Sequence, residues 1–126
     1  MIRTVVAYDD NDSALGDYFE ESYNNLLQAM QAAHVTPTTV LRGLQCTEAN
    51  VNAAVTPLNT NPFLFVGLSH GDDTGNFLLT ENDVYVSPNN SMNFSNSLFY
   101  TTGCNAALQL RENLLQHDCR IFIGYS

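Results

Sequence analysis

The chain has 126 residues, 44% of them hydrophobic and 13% charged, and 13 acidic against four basic residues give a formal net charge of −9. Length and composition fit one globular domain with a real core, while an acidic chain without a basic stripe excludes a phosphate backbone as partner. No apolar run approaches the roughly 20 residues that span a bilayer, and Met1-Ile2-Arg3-Thr4-Val5-Val6 reads as the entry to a strand rather than a signal peptide.

Residues 4–8 form a β-branched and aromatic run that stops at Asp9-Asp10-Asn11-Asp12, the pattern of a strand ending in a polar loop. Leu15, Phe19, Tyr23, Leu26, Leu27, Met30 and Ala33 recur at three- and four-residue steps and predict a helix over 13–34, with His34 as its C-terminal cap. Thr36-Pro37 breaks the chain, and 38–44 reads as a second strand. Thr47 caps a short helix running to about residue 55, and 57–62 is a connector.

The run Phe63-Leu64-Phe65-Val66-Gly67-Leu68 is apolar without alternation, which marks a strand buried on both faces. It ends at Ser69-His70-Gly71-Asp72-Asp73. A hairpin is expected from 77–79 and 84–86, and 89–96 is polar and loop-like with room for one helical turn. Leu98-Phe99-Tyr100-Thr101 is the next buried strand, stopping at Thr102-Gly103-Cys104-Asn105. A helix with Leu108, Leu114 and Leu115 toward the core should follow, then a last strand over 120–125. Strands alternating with helices predict a single α/β sandwich domain, residues 1–126, around a mainly parallel sheet.

In such sheets catalytic groups gather beyond the carboxyl ends of the strands. One strand end carries Ser69-His70-Gly71 and another carries Thr102-Gly103-Cys104. A thiol with a pKa of about 8.5 needs a base or cation nearby to act as a nucleophile at neutral pH. His70 is the candidate base and later proton donor. Gly71 would allow a close substrate approach, and its N–H would bind an oxyanion. A helix beginning at Cys104 would add the positive end of its dipole. A cysteine after a buried strand is commonly just a small hydrophobic residue, and a loop histidine often only satisfies backbone groups. Joint occurrence at two strand ends, each beside a glycine, is what raises this pair. Cys46 reads as core. Cys119, beside His117 and Asp118, reads as a helix-to-strand junction, because adjacent ligands cannot wrap one ion. Three widely spaced cysteines without a CxxC pair argue against a disulfide framework or zinc finger, so a reducing cytoplasm, no metal and no cofactor are expected.

A hydrophobic strand ending in Ser69-His70-Gly71, followed by one ending in Gly103-Cys104, resembles the caspase-like cysteine peptidases, with the CHAT and metacaspase-like branches nearest in character. The strand Ile121-Phe122-Ile123-Gly124-Tyr125-Ser126 also resembles the CHAT branch, so the motifs cover about half the chain. The resemblance implies a three-layer caspase-like sandwich with His70 as acid/base, Cys104 as nucleophile and Gly71 N–H at the oxyanion. It implies a thiol endopeptidase acting on protein substrates, in a regulatory or bacterial defence role. Residues around Cys104 depart from the Gln-Ala-Cys caspase pattern, and His70 and Cys104 stand 34 positions apart against about 50 in caspases. Substrate preference therefore does not transfer. Asp72 and Asp73 are either a site for a basic substrate side chain or solvated loop acids.

Ile121-Phe122-Ile123 is apolar at three successive positions, so both its faces call for cover close to the end of the sequence. The expectation is a domain incomplete at its C-terminus, the large-subunit portion, completed by a second chain or a dimer mate. The competing function is a catalytically silent caspase-like module that holds a peptide in the same cleft. A phosphoacceptor receiver domain fails because the chain has no lysine and no acid near its third strand.

Overall fold

The computed structural model describes residues 2–125. Its main sheet has five strands, all parallel: β1 (Arg3–Tyr8), β2 (Thr39–Arg42), β3 (Phe63–Leu68), β7 (Ser97–Thr101) and β8 (Ile121–Ile123), in the spatial order β2-β1-β3-β7-β8. Helix α1 (Gly16–Ala32) covers one face. Helices α2 (Glu48–Val55) and α3 (Leu110–Gln116) cover the other. This is the expected α/β sandwich.

Strand alternation builds both cores at once. Val5, Ala7, Phe63, Phe65 and Phe99 face α2 and α3 and pack with Val51, Val55, Leu110 and Leu114. Val6, Tyr8, Val66 and Leu68 face α1 and pack on Phe19. The central strands β1 and β3 are almost wholly buried, which explains the unbroken apolar sequence of β3 and of residues 5–8 in β1.

The elements deviate from the periodicity in instructive places. Helix α1 begins at Gly16 rather than 13, because residues 12–15 form a turn. Its end follows the expectation: His34 is left-handed (φ 59°), its N–H bonds Gln31 O and the Val35 N–H bonds Met30 O, a backbone Schellman closure. Thr47 caps α2 through the Asn50 N–H at 3.1 Å. Leu114 is fully buried, but Leu108 and Leu115 are exposed, since α3 starts two residues after Leu108 and turns Leu115 outward. Cys46 is core, and Cys119 sits buried at the α3-to-β8 junction behind a left-handed Asp118.

The hairpin over 77–86 is present as β5 (Leu78–Leu79) and β6 (Val84–Val86), and it gains a third strand, β4 (His70–Gly71), antiparallel to β5. That small sheet fastens the candidate site to the hairpin. β8 pairs with β7 at the margin of the main sheet, leaving Ile121 and Ile123 more than half exposed and Phe122 stacked on Phe99. No helix is long and apolar enough to cross a membrane among the described residues.

Candidate active site

Strand order reverses between β1 and β3: the chain winds outward through β2 on one side and through β7 and β8 on the other. A crevice opens at such a switch point, outside the carboxyl ends of the strands. Three chain segments leave the sheet there: 9–15 after β1, 69–71 after β3 and 102–109 after β7.

Hydrogen bonds fix how each segment departs. Thr101 donates its hydroxyl to Gly67 O at 2.8 Å and accepts the Gly103 N–H at 3.0 Å, turning the chain at the end of β7 so that Cys104 emerges exposed. Beyond it, Asn105 is left-handed (φ 61°), and the loop is tied down by Ala107 N–H on Tyr125 O and Leu110 N–H on Gly75 O. The expected helix at Cys104 is not there. Six loop residues precede α3, so no helix dipole acts on the thiol. Ser69 is buried, its hydroxyl hydrogen-bonded to the phenol of the fully buried Tyr85. The neighbouring His70 is thereby presented outward, packed edge-on against Phe19 with ring centroids 5.4 Å apart.

His70 and Cys104 line one cavity of about 310 Å³, with Leu15, Tyr18, Phe19 and Tyr125 among its other walls. Gly71 abuts the Cys104 segment. A Cβ at this position would stand 2.2 Å from the Cys104 carbonyl oxygen and 3.0 Å from its nitrogen. The space that Gly71 leaves open is therefore filled by the backbone of Cys104, not kept for substrate. The Asp72 N–H bonds Phe77 O across the small sheet. Antiparallel ladders alternate bonded and non-bonded pairs, so the next pair, Gly71–Leu78, is non-bonded and the Gly71 N–H is directed away from β5.

A third side chain belongs to the site and was hidden in the acidic cluster after β1. Asp12 Oδ1 lies 3.2 Å from His70 Nε2, and the Asp12 side chain is only 4% exposed. Burial pushes its carboxyl upward, but Leu15 N–H at 2.7 Å, the His70 imidazole and Ala14 N–H at 3.1 Å outweigh this and hold it below the usual carboxylate range. A carboxylate can only accept, so in the neutral imidazole Nε2 carries the proton and Nδ1 is left as the acceptor. The Asp12 turn is anchored to the β5–β6 turn, where Glu81 accepts the Ser13 N–H at 2.8 Å.

Asp72 and Asp73 lie outside the cavity wall. Asp72 is consumed by its own turn, accepting the N–H groups of Asn76 and Phe77 at 2.9 Å and that of Thr74 at 3.2 Å. Although burial works against it, the Thr74 hydroxyl and these N–H groups hold its carboxyl low. Such a carboxylate shapes the loop. Asp73 is exposed in that loop. No cluster of three metal-ligating side chains occurs among the described residues.

The other cysteines are chemically separate. Burial pushes the Cys46 thiol up to about 12 and raises that of Cys119, while Cys104 alone is exposed. Comparison with protein-family models, with curated proteins and with solved structures gives no match to this chain.

Proposed function

We propose that the protein is a caspase-like cysteine endopeptidase with Cys104 as nucleophile and His70 as acid/base. The observation that carries this reading is the convergence of both side chains, from two different strand ends, on one cavity with Gly71 packed against Cys104. In the reaction, Cys104 Sγ attacks the peptide carbonyl carbon while its proton passes to His70 Nδ1. The oxyanion is stabilised by backbone N–H groups, Gly71 among them. Collapse breaks the C–N bond, His70 protonates the departing amine, and a thioester remains. Water then attacks the thioester and gives a proton to His70. The C–S bond breaks, the sulfur is reprotonated, and the carboxylic acid leaves. No metal or cofactor takes part.

Replacing Cys104 or His70 by alanine should lower cleavage of a peptide substrate by more than about a thousandfold with the fold intact. Undiminished cleavage by the Cys104→Ala protein would sink the assignment. One observation favours the silent peptide-binding module instead: no hydrogen bond joins His70 to Cys104 among the described residues. That module would have a Cys104 no more reactive than a free thiol. The exposed apolar Ile121 and Ile123 on β8 support a second chain or dimer mate pairing at that edge; native mass spectrometry reads this directly. Three free cysteines suit a reducing cytoplasm and, by resemblance, a regulatory or bacterial defence setting.

A further inference from the structure

The cavity at His70 and Cys104 continues into a larger one of about 470 Å³, the two sharing Tyr18, Thr102 and Tyr125 as walls. The second lobe lies between α1 and the sheet. Its floor is Leu64, Val66 and Leu68 of β3 with Tyr100 of β7, and Leu26 and Ser22 of α1 form its roof. In a chain carrying 13 carboxylates, no Asp, Glu, Lys or Arg lines either lobe. The size is within the range of about 300–1,000 Å³ that small ligands occupy.

We propose that this lobe receives the substrate side chain preceding the scissile bond, and that it selects a large apolar residue, aromatic by preference. The proposal rests on the peptidase reading above. A lysine or aspartate side chain entering the lobe would lose its hydration and meet no countercharge. A phenylalanine side chain would instead bury apolar area against Leu64, Val66, Leu68 and Tyr100. Contiguity with the thiol makes the occupant a side chain of the same peptide that Cys104 attacks. Donation of the Tyr100 hydroxyl to Tyr125, with burial, raises the Tyr100 phenol, so this wall stays uncharged at neutral pH.

The test uses four peptidyl chloromethyl ketones identical except for a final Phe, Lys, Asp or Gly. Cys104 sulfur displaces chloride from the methylene carbon, forming a thioether, and intact mass reads the rate. The Phe reagent should label Cys104 at least about tenfold faster than the other three, each rate being divided by that with a free model thiol. Ser22→Glu, on a half-buried wall position of the lobe, should abolish the Phe advantage and favour Lys. If the Gly reagent outpaces the model thiol but Phe adds nothing, or Lys or Asp leads, the apolar pocket is overturned and the peptidase reading stands. If no reagent labels Cys104 faster than the model thiol, both fall.

Discussion

The carboxylate of Asp12 reaches His70 Nε2 at 3.2 Å from a loop that follows a different strand, and it is nearly covered while the imidazole remains 38% exposed. The carboxylate thus holds the ring by Nε2, while His70 lines the cavity. Asp12→Asn keeps the shape but can also donate, so the tautomer is no longer dictated. We expect kcat to fall about a hundredfold with KM little changed, checked by steady-state kinetics, and far-UV circular dichroism unaltered.

Two aspartates on this loop should respond oppositely to pH. Asp12 is held low in the fold, so its ionisation stabilises the native state above the ordinary carboxylate range, near pH 4, and this contribution disappears as pH falls through its folded value. Asp9 is 1% exposed, its Oδ2 has no partner among the described residues, and burial raises its carboxyl. Its stabilising contribution is present below pH about 4 and is lost as pH rises through the raised value. Asp9→Asn should therefore raise Tm at neutral pH, with the gain shrinking toward pH 4, whereas Asp12→Asn should lower it. Thermal melts across pH 3–8 read both; parallel curves for Asp9→Asn and wild type would refute the assignment.

Gly71→Ala would force a methyl group against the Cys104 carbonyl, at 2.2 Å before relaxation. Since the obstacle is backbone, the 102–109 loop has to move. We expect a loss of about 1–3 kcal/mol in urea denaturation and at least about a hundredfold loss of cleavage.

Thiol chemistry should sort by burial. Iodoacetamide at neutral pH should add to Cys104 alone in the native protein and to all three cysteines in denaturant. Early native modification of Cys46, whose thiol is pushed up to about 12, would contradict its place in the core.

The architecture was largely legible because hydrophobic pattern encodes burial. The continuous runs of β3 and β7, the stripe of α1 and the cap at Thr47 all appear near their expected positions. What failed is what local pattern does not carry. Leu108 looks like a core residue in a helix, yet the residues after Cys104 form a loop pinned by Tyr125 and Gly75 carbonyls, contacts that come from afar. Two residues after Ser69 join the hairpin as β4, which His70-Gly71 alone does not announce. Asp12 was unreadable for the same reason. Among four polar residues in a row, only the adjacency of β1 and β3 selects the one that meets His70. The role of Asp72 stayed open in the sequence because a loop acid satisfied by its own turn has the same sequence appearance as one awaiting a ligand.

The parallel order β1-β3-β7 has a consequence for how the protein comes into being. Parallel neighbours cannot be joined by a tight turn, so pairing Arg3 with Phe63 and Phe63 with Ser97 closes long loops whose entropy must be met before contacts reward it. Asp12, His70 and Cys104 hang from those three strands one by one. A nascent or half-folded chain holds a thiol, an imidazole and a carboxylate with nothing to bring them together. The juxtaposition of the three side chains is therefore acquired with the sheet rather than before it, through a slow, non-local topology.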